Sequence, residues 1–135
     1  MYKPKVYLSG GFKTGWQNMV RESLNDSCII FDPGIHNLSS DEQYWAWDIH
    51  FVRQCDIVFA YMEDSNPSGF GLTLEIGMAF ALNKTVILVD EKSKGNPEFE
   101  RYFKIVSNSA SIKFDNMLEG VEYLKTLTTK CNAVR

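Results

Sequence analysis

"DIVFAYMEDSNPSGFGLTLEIGMAFALNKTVILV", residues 56–89, decides the fold class. Its opening, "DIVFAYM" (56–62), is a continuous apolar run, the pattern of a strand in a sheet covered on both faces. "GFGLTLEIGMAFAL" (69–82) then reads as one helix, with Leu72, Glu75, Ile76, Ala79 and Phe80 along one face at helical spacing. The other side, with Leu74, Gly77, Met78 and Ala81, is no more polar, so this helix is expected to be buried. "TVILV" (85–89) supplies the next strand. A buried helix with a carboxylate in its apolar stripe is the anomaly of the segment.

Outward from this unit the alternation continues. "KVYL" (5–8) is a first strand, followed by the loop "SGGFKTG" and a helix through Trp16–Leu24. "CIIF" (28–31) is a second strand, ended by the turn signal Asp32-Pro33-Gly34. Ser40 with Gln43 forms a capping box for a helix running to about Cys55. A short helix near Pro97–Ile105, a strand "SIKF" (111–114) and a helix from Asp115 to about Thr128 complete the series. Five βα units predict an α/β fold: a single domain over residues 1–135, a doubly wound, flavodoxin-like five-stranded parallel sheet with helices on both faces. In such sheets ligands bind where strand order reverses, here between the first and third strands. The loops leaving those strands, "SGGFKTG" and "EDSNPSGFG", are the most glycine-rich of the chain, and Glu75 lies one turn beyond the second.

Composition narrows the function. The net charge is −3 and the lysines and arginines are scattered, which argues against binding a nucleic-acid polymer. No apolar run reaches the roughly 18 residues of a membrane span. The start "MYKPKVYLSGG" lacks a signal-peptide core, so a cytoplasmic location is expected. Cys28, Cys55 and Cys131 have neither disulfide nor zinc spacing, and two buried thiols and one near a frayed end are expected. His36 and His50 lack metal-ligand spacing, and His50 falls on the polar side of its helix. No metal and no cofactor are expected. The P-loop fails because Tyr7 and Phe12 stand where its glycines belong ahead of Lys13-Thr14. "GFGLTL" has Leu74 where a dinucleotide fingerprint needs its third glycine, and it follows the third strand.

A second acid breaks the core pattern. Asp48 shares a helix face with Tyr44, Trp45, Phe51, Val52 and Cys55. Aspartate is a poor mid-helix residue, and an unpaired buried carboxylate costs several kcal/mol unless it pairs or holds its proton. For either acid alone, a structural hydrogen bond or an arginine partner is an equal alternative, yet no arginine adjoins a glycine loop. Two acids facing one cleft suit chemistry at a glycosidic bond, one attacking the anomeric carbon and the other managing the leaving group. Tyr7, on the first strand beside the switch point, is placed to hold Glu75, with a plain core aromatic as the alternative. Phe12, Trp16, Trp45 and Trp47 offer flat surface on which a nucleobase could stack.

These residues resemble the nucleoside 2-deoxyribosyltransferases and the related deoxynucleoside-monophosphate N-glycosidases. "YLSGGFKTGWQN" is similar to that family's first strand and substrate loop, "WDIHFVRQCDIVFAY" to its second motif, and "GLTLEIGMAFALNKTVILV" to its nucleophile segment, over most of Lys5–Lys113. The resemblance implies Glu75 as nucleophile at C1′ of a 2′-deoxynucleoside, Tyr7 orienting it, and Asp48 assisting departure of the base. It implies Gly10, Gly11, Phe12 and Gln17 bordering the base, and Ser68, Gly69 and Gly71 in the substrate loop. Where family transferases carry an aspartate six positions before the nucleophile, this chain has Gly69. Pro67-Ser68-Gly69 resembles instead the N-glycosidase loop in which a serine contacts a 5′-phosphate, while the arginine pair of those hydrolases is missing and Lys13 is the only cation of the first loop. The family completes each site from a neighbouring subunit, which implies a homo-oligomer and points to Asn108. The expected activity is therefore deoxyribosyl transfer between nucleobases, with nucleosides and nucleobases as partners. N-glycosidic hydrolysis of nucleosides or their 5′-monophosphates, and a non-catalytic nucleotide-binding module, are the alternatives.

Overall fold

The structure is a computed structural model and is described here over residues 2–128. The strands are β1 (Lys5–Gly10), β2 (Ile29–Phe31), β3 (Ile57–Met62), β4 (Thr85–Asp90) and β5 (Ile112–Phe114). The helices are α1 (Trp16–Leu24), α2 (Asp41–Gln54), α3 (Phe70–Ala81), α4 (Pro97–Ser107) and α5 (Met117–Thr128), with one tight turn of 3-10 helix at Pro33–Ile35. All strand pairs are parallel, in the order β2-β1-β3-β4-β5. The doubly wound α/β fold expected from the alternation is the one observed.

Alternation along the strands builds two apolar layers, because successive side chains of a strand point to opposite faces. Val6 and Leu8 of β1, Phe59 of β3 and Val89 of β4 face α1 and α5, where they meet Trp16, Val20, Leu24, Val121 and Leu124. Tyr7, Val58, Ala60 and Leu88 face the other way, against Val52, Leu72, Ile76, Ala79 and Phe103 of α2, α3 and α4. The odd positions of β1 therefore look toward α3. The chain leaves β1 to pair β2 on one side and returns through α2 to β3 on the other, so strand order reverses between β1 and β3. The carboxyl ends of those two strands open the cleft that such a reversal creates.

Several local expectations need correction. Ser40 stands at the N-cap of α2, but its side chain caps nothing, so the box with Gln43 is not formed. The outer face of α3 is exposed in the single chain: Phe70, Leu74, Gly77 and Phe80 all face outward, Phe80 with 60% of its surface open. Only Leu72, Glu75, Ile76 and Ala79 of that helix are buried. On α2, Trp45 is exposed and Trp47 half-buried, while Trp16 is buried in the layer beneath α1, so neither Trp16 nor Trp45 reaches the cleft. His50 is exposed, and Cys28 and Cys55 are buried free thiols. Cys131 lies outside the described residues. No helix among the described residues is long and apolar enough to cross a membrane.

α5 lies so close to β4 that only a glycine fits at the crossing. A Cβ on Gly120 would stand 2.4 Å from Cγ2 of Val89 and 3.5 Å from the Phe59 ring. Valine is stiff at χ1, so relief requires the helix itself to move. Gly120→Ala is expected to destabilise the fold by about 1–3 kcal/mol, read as a lower urea midpoint at unchanged slope.

Candidate functional site

Glu75 sits one turn into α3 and points back at β1. It retains 8% of its surface and is bound by two hydroxyls: Tyr7 donates to Oε2 at 2.8 Å and Ser9 donates to Oε1 at 2.6 Å. Both donors occupy the odd face of β1, two residues apart, as the strand period requires. Burial pushes the Glu75 carboxyl up from its usual 4.5 to about 7. The Ser9 and Tyr7 hydrogen bonds pull it down, and the negative charge of Asp48 adds to the rise. The Tyr7 hydroxyl is held far above its ordinary value, first by burial and then by the Glu75 and Asp48 charges, so it remains a donor.

Asp48 forms another wall. Glu75, Asp48, Tyr7, Gly10, Gly11, Phe12, Ser68, Gly69 and Gly71 line one pocket of about 190 Å³, joined by Pro33, Asn66 and Phe70. Burial raises the Asp48 carboxyl above the usual carboxylate range, with His36 opposing. Its Oδ1 is enclosed and has no hydrogen-bond partner, a costly arrangement in a folded chain. Among the described residues neither acid is paired with an arginine. Arg21, the arginine nearest the first loop, bonds the buried Asp32 and the Asn18 side chain instead.

The loop entering α3 is fixed by Asn66, whose Oδ1 accepts the N–H groups of Ser68 and Gly69 at 3.1 and 3.0 Å. Gly69 then takes a left-handed backbone with φ 70°, and a Cβ there would lie 2.3 Å from Cε of Met62. A side chain here would be strained by the positive φ and would have to displace the Met62 methyl. Lys92 donates to the Asn66 carbonyl, and Thr14 donates to the buried Glu63 carboxylate, tying the first loop to the end of β3.

Two of the expected site residues stand apart from the pocket. Gln17 is buried and donates to the Gly11 carbonyl at 2.9 Å. It braces the loop after β1 and lines a separate hollow with Asn18, Arg21 and Asp32. Asn108 is exposed at the C-terminal end of α4 and is not part of the pocket wall of its own chain. Sequence reading missed Ser9, which the strand period from Tyr7 would have exposed, and Asn66, whose Asn-Pro-Ser-Gly setting signals a loop anchored by its side chain. Among the described residues no three His, Cys, Asp or Glu side chains gather to hold a metal ion. Chemically, the pocket offers one hydroxyl-bound carboxylate and one acid with a bare oxygen, under a half-open aromatic lip formed by Phe12 and Phe70.

Comparison with known proteins places this geometry in context. Over residues 3–93 the chain matches the model of a family described as nucleoside 2-deoxyribosyltransferase like. No curated protein sequence matches it. Among solved structures it is similar to a conserved protein from Enterococcus faecalis V583, with TM-score 0.68 and 15% identity over 93% of this chain and 99% of that one. It is similar to a 2-deoxyribosyltransferase from Bacillus psychrosaccharolyticus, with TM-score 0.67 and 19% identity over 97% of each chain. It is also similar to a CMP N-glycosidase from Clostridium botulinum, with TM-score 0.62 and 18% identity over 90% of this chain and 98% of that one. At these identities the solved structures establish the shared fold, whereas the family model spans well over half of the sequence. The chain belongs to the nucleoside 2-deoxyribosyltransferase-like family.

Proposed function

We propose that the protein is a nucleoside 2-deoxyribosyltransferase that moves 2-deoxyribose between nucleobases through a covalent deoxyribosyl-glutamate. The observation that carries this reading is Glu75, a buried carboxylate bound by two hydroxyl donors and aimed into a pocket whose other wall holds Asp48. A Glu75 oxygen attacks C1′ as the bond to the base nitrogen breaks, through an oxocarbenium-like transition state. The electron pair leaves with the base, which takes a proton from Asp48. A second base then attacks C1′, its surplus proton returns to Asp48, and the Glu75 ester bond breaks. Tyr7 and Ser9 fix the carboxylate by hydrogen bonds it need not reorganise during the reaction. Phe12 gives the base an exposed aromatic face beside Gly10 and Gly11.

One observation favours a second reading, hydrolysis of the same bond in 5′-monophosphates. Gly69 carries no side chain, and α3 begins without a side-chain cap. Its free N–H groups, with Ser68, therefore suit an anionic group at the sugar's 5′ end. A non-catalytic nucleotide-binding module is the third reading, and it requires binding without turnover.

The protein works as a cytoplasmic homo-oligomer in this reading. The exposed apolar residues Phe70 and Leu74 of α3 and Ile105 of α4 support it, and Ile105 lines a groove between those helices with Thr73, Ile76, Gly77, Val106 and Ser109. Asn108, which this reading gives to a neighbouring subunit's site, is exposed and precedes Ser109 of this groove in the chain. Sedimentation is expected to show an assembly that Leu74→Glu dissociates.

Incubation with a deoxynucleoside and a second free base, followed by liquid chromatography, tests the reaction. A new deoxynucleoside is expected from the native chain, with a loss on the order of 10³-fold or more in Glu75→Ala. Free base with no new nucleoside supports hydrolysis, and absence of turnover with nucleosides and monophosphates alike supports the binding module.

Keeping a carboxylate ionised in this pocket carries a stability cost with a definite sign. A carboxyl whose folded pKa is raised binds its proton more tightly in the native state, so its stabilising contribution is full below the unfolded value of 4.5 and lost as pH rises to about 7. Glu75→Gln does not titrate. Its melting temperature relative to the native chain is therefore expected to rise between pH 4.5 and 7 and to level off above.

A further inference from the structure

His36, which the reaction above leaves idle, stands behind Asp48. It follows the Pro33–Ile35 turn, itself fixed by Asp32, whose Oδ1 accepts the Gly34 N–H at 2.8 Å while Arg21 holds the other oxygen. The ring stacks on Tyr44, with centroids 6.4 Å apart and 17° between planes, and takes Trp47 edge-on at 4.8 Å. Its Nδ1 accepts the Leu38 N–H at 3.0 Å, so Nδ1 carries no proton in this arrangement and the ring N–H is at Nε2. That nitrogen lies 3.6 Å from Oδ1 of Asp48, the same oxygen that is enclosed and lacks a partner. The separation is beyond a hydrogen bond, and a small shift of either group would close it.

We propose that His36 is the positioning residue of Asp48, its Nε2–H closing on Oδ1 as Asp48 gives up its proton to the leaving base. The mechanistic half of this inference rests on the glycosyl-transfer reading above; the pairing itself does not. The proton that moves is on Oδ2, the oxygen not enclosed, and it goes to the base nitrogen as the bond to C1′ breaks. The negative charge left on Asp48 then meets the Nε2–H, which keeps its own proton. When the incoming base returns a proton to Oδ2, the Nε2–H contact relaxes.

The other titratable groups that face Asp48 make this support necessary. Glu75 from α3 and the Tyr7 hydroxyl from β1 lie on the pocket side, and Glu75 brings negative charge. The Tyr7 hydroxyl already donates to Glu75, so among the described residues His36, from the segment after β2, is the facing group with an N–H left for Asp48. Tyr44 and Trp47, on α2 with Asp48, hold the ring in place rather than bonding the carboxylate.

Long-range nitrogen-15 NMR of the histidine rings in the full chain tests the pairing without any substrate. The chain has two histidines, and the exposed His50 serves as the internal reference. The expected result is an Nε2–H tautomer for His36, whose ring signals move in Asp48→Asn while those of His50 stay in place. A protonated Nδ1 with bare Nε2, or His36 signals indifferent to Asp48→Asn, overturns the proposal. Kinetics test the role. His36→Ala is expected to lower kcat about tenfold or more with KM near native, and to move the limb at which Asp48 loses its proton to higher pH by roughly half a unit or more. His36→Gln, which keeps an N–H near the Nε2 position, should recover most of kcat. Native kcat and pH profile in a folded His36→Ala overturn the role. If His36→Ala fails to fold, His36→Gln and the Asp48→Asn spectra decide. If the native chain turns over no nucleoside or nucleotide, the functional reading fails while the spectra still decide the pairing.

Discussion

Everything around the cleft depends on one constraint: a carboxylate on α3 is buried against a sheet and must be solvated by the sheet. Only the odd face of β1 can do this, and it presents Tyr7 and Ser9 at the two oxygens of Glu75. An unpaired carboxylate in that place would cost several kcal/mol or hold its proton. Two hydroxyl donors offset the burial in part, which leaves the group near neutrality in its titration rather than far above it. The register of β1 beside β3, with Tyr7 opposite Val58 and Ser9 opposite Ala60, follows from the same requirement. A slip of one residue would turn both hydroxyls to the α1 and α5 side and strand the carboxylate.

The second constraint is the short path from β3 to α3. Asn66 closes that turn on the amides of Ser68 and Gly69, and Met62 fills the space a side chain at Gly69 would need. Lys92 holds Asn66 from the β4 side, and the Thr14–Glu63 contact holds the first loop from the other. Under the proposed function, recognition at this end of the pocket falls to backbone N–H groups and Ser68 rather than to a carboxylate. Such an edge favours acceptors on the ligand over donors. In that reading the choice between a free 5′-hydroxyl and a 5′-phosphate turns on few atoms.

The fold was legible because each strand is a continuous apolar run and each helix carries a separate period. Observed boundaries fall within two residues of those read from sequence, as at β3 and α3. Glu75 and Asp48 were legible as violations of that same pattern, since an acid in an apolar stripe needs a reason. Ser9 was not, because a serine at the end of a strand reads as the strand running out. His36 was not, because its meaning lies in an enclosed oxygen of Asp48, on the next helix, and not in any local spacing. The aromatic residues misled in both directions. Trp16 is core, Phe12 is exposed at the pocket, and composition alone cannot separate the two. The outer face of α3 misled for a different reason: apolar residues there obey the rule for burial, yet none of the described residues covers them.

The two acids are chemically alike, and their surroundings alone set them apart. Burial lifts both above the ordinary carboxylate range. Their partners then differ: hydroxyls on both oxygens favour the Glu75 anion, while His36 alone favours that of Asp48, whose enclosed oxygen has no hydrogen bond among the described residues. The negative charge of Asp48 raises Glu75 further, so the pair resists losing both protons together. Under the proposed function the reactive state has one proton between them, held on Asp48, with Glu75 free to attack. Moving that proton to the base removes it from the pair at the moment Glu75 loses its own charge by forming the ester. The repulsion that would oppose a doubly ionised pair therefore never develops, and the covalent step and the proton transfer favour each other.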